Sequence, residues 1–580
     1  MDVAAAALQC ISFAAQAFHG CVLAIEFINT AQHMGADGDF FRVGLEFEKY
    51  RLISWGERVG LLDDNERQTL NWQLAGMILS QLESHLTSAN ILRDRYALSV
   101  TEEDIQVAED TRPTATLKPV VAKLVARLKP TLYTTASRII QENNSTIKRL
   151  RWAARDKEKL KTYLDNIAGL VDKLDCLLDS TERQQQKNEY DHLLREVVSL
   201  TSTTAEAGQM REVLENRAQH HRTEKSINAA AYLKQVRLML GADKRHDEQI
   251  PKIDGNVGVK MPKLSILGRT LRPWNDSELF SSTLEFASYR NEQVLIQWKT
   301  VADGEWDMYT KQIKCLAVFL MSLSDKSFRS LPCVGYYPLE RQGRHGIVYS
   351  MPGKGVDWDI RSLRDLISSQ QRVSLNRRLQ LAQALAETVL QLHTAGWLHK
   401  SIRPDNVVFL AFRGSSDDEF LKSEPYIIGY EYARSDTQDS AKAFTQLPET
   451  ELWTDLYRHP QARGSNRESF QKRFDMYALA CIFLELLCWR PLVNIFSSYL
   501  IPELDDIIAL AQTSNTAIQL PSLDELFQRG EFVLELEHQA GKAFVEAIKT
   551  AYLTPKAKVD DEGLLTEQTA VLDKIRWCKI

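Results

Sequence analysis

The stretch HKSIRPDNVVF, residues 399–409, sets a histidine, two cations and a Pro-Asp-Asn run directly before the β-branched start of a short hairpin. That is the composition of a loop presenting polar groups at the mouth of a strand. Such a loop can act as a base only if it carries a carboxylate able to take a proton from a hydroxyl at neutral pH, which a serine hydroxyl cannot do. The position that decides the matter is Ser401.

The chain of 580 residues is too long for one core, so two or more domains are expected. A composition of 44% hydrophobic and 26% charged residues, with no low-complexity tract, is that of an ordinary soluble protein. The net charge of −6, with no zinc-type Cys/His spacing and no basic face interleaved with aromatics, argues against a nucleic-acid binder. The eight cysteines are scattered and form no paired framework, and the Met-Asp start lacks the basic region of a signal or transit peptide. The expectation is a cytoplasmic protein with reduced thiols.

From Val3 to about Asp179 apolar residues recur at helical spacing, as in LVARLKPTLYTTASRII (124–140), with breaks at GADGD (35–39) and QENNS (141–145). This predicts a bundle of five or six helices. Residues 216–284 read as a bridging helix (SINAAAYLKQVRLML, 226–240) and a polar linker. Beyond them come β-branched and aromatic runs, then long helices, the order of an α+β domain over 285–580.

Between Val3 and Ile25 lie 23 residues without Asp, Glu, Lys or Arg. At about 1.5 Å per residue a helix of that length crosses a bilayer core. Val3, Leu8, Ile11, Phe13, Phe18, Val22, Leu23 and Ile25 favour lipid, each by about 0.3–0.6 kcal/mol, while Gln9, Gln16 and His19 oppose them. A buried core helix has the same composition, and hydropathy does not separate the two. Between Lys118 and Lys161 twelve Lys/Arg face three acids, and the cations Lys148, Arg149, Arg151 and Arg155 are candidates for anionic lipid headgroups.

RLISWGERVGLLDD (51–64) and RLRWAARDKEKLKTYLDNIAGLVDKLDCLL (149–178) resemble the most recognisable parts of the fungal HeLo, or prion-inhibition-and-propagation, domain. The resemblance covers residues 1–215. It implies a helical bundle whose N-terminal apolar helix, here Val3 to Ile25, is exposed on activation and enters the membrane.

The second half can be tested part by part against the needs of phosphoryl transfer. HKSIRPDNVVF resembles a protein-kinase catalytic loop: His399 fits the loop histidine, Lys400 stands for the usual Arg, Ser401 for the Asp base and Arg403 for the Lys. Asp405 precedes Asn406, a metal-binding amide that is retained. YIIGYEYARSD (426–436) resembles the Asp-Phe-Gly segment, with Gly429 in place of the magnesium-binding Asp. VLIQWK (294–299) resembles the third kinase strand, and two registers put Gln297 or Lys299 at the key position, on the same face. From Trp306 to Pro332 there is no Glu to partner the lysine, and between Leu264 and Gln293 only Gly268 stands where a phosphate cradle needs three glycines. FDMYALACIFLELL (474–487) resembles the long central helix, whose Asp475 would cap backbone amides of the loop or serve as an ordinary N-cap.

Together these resemble fungal mixed lineage kinase domain-like cell-death effectors. The resemblance implies a multidomain chain, an all-α HeLo-like bundle followed by a bilobal kinase-like domain without catalytic residues. Lys299 and Asn406 are the nucleotide-binding candidates, no metal is expected, and the cofactor expectation is none beyond weak ATP binding without magnesium. The partners implied are anionic membrane lipids after activation, further copies of the chain and other HeLo or signalling proteins, with movement from the cytoplasm to the plasma membrane. Two alternatives stay open: an atypical kinase using Glu431 or Asp405 as a displaced acid, and a scaffold that binds other HeLo proteins without killing. Ser435, Thr437, Ser440, Thr445, Thr450 and Tyr457 are hydroxyls of the segment where added phosphate would meet Lys400 or Arg403.

Overall fold

The computed structural model describes residues 3–30, 36–62, 67, 69–88, 98–102, 117, 120–121, 123–125, 150–154, 157–217, 222–242, 283–289, 292–301, 304–323, 325–353, 355–369, 371–436, 452–464, 467–514, 516, 518–553 and 561–578. The chain divides into two compact units, Met1–Gln235 and Val236–Ile580.

The first unit is helical apart from one ladder. Its described helices are α1 (Val3–Thr30), α2 (Ala36–Arg58), α3 (Trp72–Thr87), α4 (Lys157–Asp175), α5 (Ser180–Leu200), α6 (Thr204–Arg217) and α7 (Arg222–Ala242), which continues past the unit boundary. Strands β1 (Leu98–Glu102) and β2 (Leu150–Ala154) pair antiparallel with Val100 opposite Trp152, β-branched and aromatic residues suited to a ladder. This ladder is an addition to the expected bundle, and the RLRWAA part of the motif runs into it rather than into α4. Two helices start on side-chain caps: Asn71 accepts from the Leu74 N–H at 3.1 Å, and Asp179 with Glu182 forms a capping box before α5. Of the breaks read from the sequence, GADGD runs into α2 from Ala36 and QENNS lies outside the described residues.

One apolar core holds these helices together, with Phe18, Phe41, Trp55, Leu82, Tyr163 and Leu193 all fully buried. Each such side chain contributes about 1.5–3 kcal/mol by leaving water. The RLISWGER motif acquires its physical reason here. Trp55 fills the core, and Gly56 lets Phe18 of α1 approach so closely that a Cβ would lie 2.6 Å from its ring. Arg51 is buried among Glu48 (2.9 Å), Asp175 (2.6 Å) and Asp172. Glu48 also pairs with Arg217, which bonds Glu224 at 3.1 Å, and the Tyr190 ring lies 5.5 Å from the Arg51 guanidinium and 5.3 Å from that of Arg217. Burial pulls the Arg51 pKa down, and Asp175 and Asp172 more than offset it, so the guanidinium stays charged.

The second unit opens with an antiparallel sheet of β3 (Thr283–Tyr289), β4 (Glu292–Thr300), β5 (Cys333–Leu339) and β6 (Arg344–Ser350) in the order β3-β4-β6-β5. Helix α8 (Trp306–Met321) packs on it, burying Tyr309, Ile313 and Phe319. The larger part carries the hairpin β9 (Val407–Phe412) and β10 (Pro425–Ile427), joined to β7 (Trp358–Ser362), and the helices α9 (Leu375–Thr394) and α10 (Lys472–Cys488). The short strands β8 (Trp397–Leu398) and β11 (Arg434–Ser435) pair across the site. Helix α10 is buried on all sides, which explains its near-continuous apolar sequence. A mixed α/β half with antiparallel sheets therefore follows a helical one, the multidomain architecture read from the sequence.

Candidate functional site

The loop quoted first lies between β8 and β9. The Asp475 carboxylate, at the start of α10, accepts hydrogen bonds from the backbone N–H of His399 and of Lys400, both at 2.9 Å, and lies 3.1 Å from His393 Nε2. Lys400 takes a left-handed φ of 69°, a conformation that non-glycine residues rarely adopt and that the paired amides hold. His399 is buried, accepts at Nδ1 from the Ser401 N–H at 3.2 Å and tilts against Tyr430 at 4.5 Å. Burial lowers its pKa to about 4, so the ring is neutral at physiological pH. Burial, and then the charge of Arg434, pulls Lys400 down to about 7.

Ser401 is buried and faces Asn406, whose amide nitrogen donates to Ser401 O at 2.7 Å and to Ser401 Oγ at 2.9 Å. The amide is thus engaged within its own loop. Asp405 is held by the Arg364 guanidinium through Nε at 2.6 Å and Nη2 at 3.2 Å, with Arg403 Nε 3.8 Å away. Gly429 packs directly on Asn406 with φ 87°, and a Cβ there would collide with the Asn406 amide. The magnesium-ligand position has no room for a side chain while Asn406 keeps this pose.

Gln297 and Lys299 lie on one face of β4, and both reach the 429–432 segment. The Gln297 amide donates to Glu431 at 2.5 Å and accepts from the Gly429 N–H at 3.2 Å. The Lys299 ammonium donates to the Tyr432 hydroxyl at 2.5 Å and sits 4.3 Å from its ring centroid, adding a cation–π contact. Glu431 is buried, and its other oxygen has no hydrogen-bond partner among the described residues. The space over Lys299 is therefore occupied by the chain's own Glu431 and Tyr432. Among the described residues no group of three His, Cys, Asp or Glu could hold a metal ion.

Sequence reasoning missed Arg364, Tyr432 and Glu485. Tyr457, read as a hydroxyl open to phosphate, is buried: it donates to Glu485 at 2.7 Å and lies 3.4 Å from Arg364. Glu485 also accepts from the Leu492 N–H at 2.6 Å, and burial raises its pKa to about 7. No local pattern marks these residues, because the side-chain contacts Arg364–Asp405, Lys299–Tyr432 and Tyr457–Glu485 join segments far apart in the chain. Ser435 is half-buried on β11, and Thr437, Ser440, Thr445 and Thr450 lie outside the described residues.

In the first unit, Leu8–Ile28 of α1 is long and apolar enough to cross a membrane, with less than half of it buried. Leu8 is 67% and Phe13 51% exposed; Ile11 and Leu23 are half-buried; Phe18, Val22 and Ile25 are buried. Val3 begins the helix, and its side chain lies outside the described residues. So do the side chains of Lys148, Arg149, Arg151 and Arg155; the Arg151 backbone pairs with Thr101. The Glu26 carboxylate pairs with Lys49 of α2 at 2.8 Å.

Comparison with known proteins separates the halves in the same way. The family model HeLo, described as prion-inhibition and propagation, matches residues 6–213. Heterokaryon incompatibility protein S of Podospora anserina is 31% identical over 163 residues, 27% of this chain and 53% of that protein. A probable serine/threonine-protein kinase of Streptomyces coelicolor is 24% identical over 189 residues, 29% of this chain and 26% of its own length. Mitogen-activated protein kinase 11 of Oryza sativa subsp. japonica is 29% identical over 142 residues, 24% of this chain and 20% of its own. The chain thus spans about half the length of the incompatibility proteins it matches and a smaller share of the kinases. Residues 6–213 are a HeLo domain of the prion-inhibition-and-propagation family, and the C-terminal half of the chain is protein-kinase-like.

Proposed function

We propose that the chain is a cell-death effector of the heterokaryon-incompatibility type, in which a catalytically silent kinase-like half controls a membrane-attacking HeLo domain. The observation that carries this reading is α1. A HeLo domain akin to an incompatibility protein begins with a helix able by length and composition to cross a bilayer, and that helix has Leu8 and Phe13 already exposed to solvent. The remaining attraction to the membrane comes from the cations between Lys118 and Lys161 acting on anionic headgroups.

Catalytic silence is supported by the disposition of the acids. Asp405 is clamped by Arg364, Glu431 is held by Gln297, Gly429 carries no carboxylate, and Ser401 lacks the basicity to take a proton. Weak nucleotide binding at Lys299, without magnesium, is the most that this arrangement supports. A kinase-like half of this kind acts by changing shape, relaying an upstream signal to the HeLo domain at the inner face of the plasma membrane.

The test is induced expression of the full chain in yeast cells alongside dye release from anionic liposomes by the purified full chain. Wild type should arrest growth and empty the liposomes. Leu8→Lys with Phe13→Lys, both at exposed positions, should do neither, since a lysine in the apolar stretch opposes insertion, by up to about 2.5–3.5 kcal/mol at the bilayer centre and by less toward the end of the span where Leu8 lies. Inert wild type, or a double variant as active as wild type, would refute the reading.

A further inference from the structure

Helix α7 is the stretch by which the chain of the HeLo domain runs on into the kinase-like half, and its C-terminal end is fastened within the second unit by charge. After Val236 none of its described side chains is fully buried: Arg237, Leu238, Met239 and Leu240 are half-buried. Arg237 ties this end down. Its Nη1 donates to Gly396 O at 3.2 Å and pairs with Asp436 Oδ1 at 2.7 Å. Gly396, between α9 and β8, has a φ of 75°, and a Cβ there would collide with the Arg237 guanidinium, so glycine is what lets the arginine in. Asp436 follows β11, whose two residues pair with Trp397 and Leu398 of β8. Its backbone N–H donates to the same Gly396 O at 3.0 Å, and its Oδ2 pairs with the buried Lys472 of α10 at 2.9 Å. One carbonyl and one carboxylate thus gather the end of α7, the β8–β11 ladder and the start of α10.

We infer that Arg237, Gly396 and Asp436 form a latch, in which the end of α7 and the β8–β11 ladder are held together or released together. A two-residue ladder is a weak hold by itself, and this corner completes it. Ion pairs open to water contribute little, but the Arg237 and Asp436 side chains are only 10% and 13% exposed, so loss of either charge strands the other. Beyond Val236 the half-buried apolar side chains add little to keep the helix end in place once the charge is gone. A signal that parts β11 from β8 displaces Asp436 and so frees the helix that leads back to the HeLo domain. The inference rests on the proposed control of the HeLo domain by the kinase-like half and names the contact through which that control passes.

Hydrogen exchange of the purified full chain, read by mass spectrometry, tests it on Arg237→Ala, Arg237→Lys and Asp436→Asn. Asparagine has the shape of aspartate, so that variant keeps the fold and loses the charge. Asp436→Asn should speed exchange of the α7 amides from Val236 onward by at least about tenfold, and Arg237→Ala should do the same to the β8 and β11 amides, each acting on the element it does not belong to. Arg237→Lys, which keeps the charge, should lie between Arg237→Ala and wild type. In dye release from anionic liposomes both charge-removing variants should act at a several-fold lower protein concentration than wild type, a gain that a merely stabilising contact would not produce. Asp436→Asn with α7 exchanging as in wild type would overturn the inference, and so would Arg237→Ala emptying liposomes no faster than an active wild type. Exchange is read in solution without membrane, so a latch that fails is told apart from a membrane attack that fails.

Discussion

Asn406 and Gly429 are packed against each other so closely that the amide of the first fills the space a side chain of the second would need. The contact joins the end of the loop to the segment after β10, the two places from which a kinase presents its metal ligands.

Gly429→Asp should therefore not create a magnesium site. The substitution meets the Asn406 amide and a φ of 87°, and should lower stability by about 1–3 kcal/mol, read as a lowered melting temperature of the second unit. Magnesium-dependent ATP turnover should stay at background in the same preparation.

A nucleotide thermal-shift assay should give the same small shift with and without magnesium, because the carboxylates nearest the site are bonded to Arg364 and Gln297. Tyr432→Phe, which removes the hydroxyl that holds Lys299, should enlarge the nucleotide shift without making it metal-dependent.

Asp475→Ala leaves the backbone amides of His399 and Lys400 without their carboxylate acceptor and His393 with only Gln568. Hydrogen bonds to a charged group are worth about 1.5–3 kcal/mol each, so a loss of roughly 3 kcal/mol or more is expected, seen in thermal or urea unfolding of the full chain.

Arg51→Ala takes from Glu48 one of its two guanidinium partners and leaves Asp175, largely buried, with only the Gln186 amide among the described residues, a loss of about 3–5 kcal/mol. The first unit's melting transition should fall while nucleotide response stays as in wild type.

Glu485 provides a pH test. Burial raises its pKa from 4.5 to about 7 in the folded chain, so the folded state holds this proton more tightly than the unfolded one. The stability tied to that proton is complete below about pH 4.5 and is lost as pH rises through 7, an effect of the order of 3 kcal/mol. His399, lowered to about 4, works in the opposite sense below 6.5, so the quantity to measure is wild type against Glu485→Gln. The difference in melting temperature between the two should shift in favour of the variant from pH 4.5 to 7.

Local patterns carried most of the fold. The 3.6-residue period of α1 and α4 and the strand run after Asn406 are properties of short windows. The β1–β2 ladder escaped because its strands lie 47 residues apart in a stretch read as helical. In the site, the absence of a carboxylate at Ser401 and Gly429 was visible from residue identity alone. The grip of Arg364 on Asp405 and of Lys299 on Tyr432 was not, since side chains 41 and 133 residues apart meet only once the chain has folded. The same holds for Arg51, whose partners Asp172 and Asp175 lie 121 and 124 residues away.

The way Asn406, Gly429, Asp405 and Arg364 are fitted together also ties substitutions to one another. Gly429 is shaped to the Asn406 amide and Asp405 to the Arg364 guanidinium, so a larger side chain at position 429 fits only if position 406 changes with it.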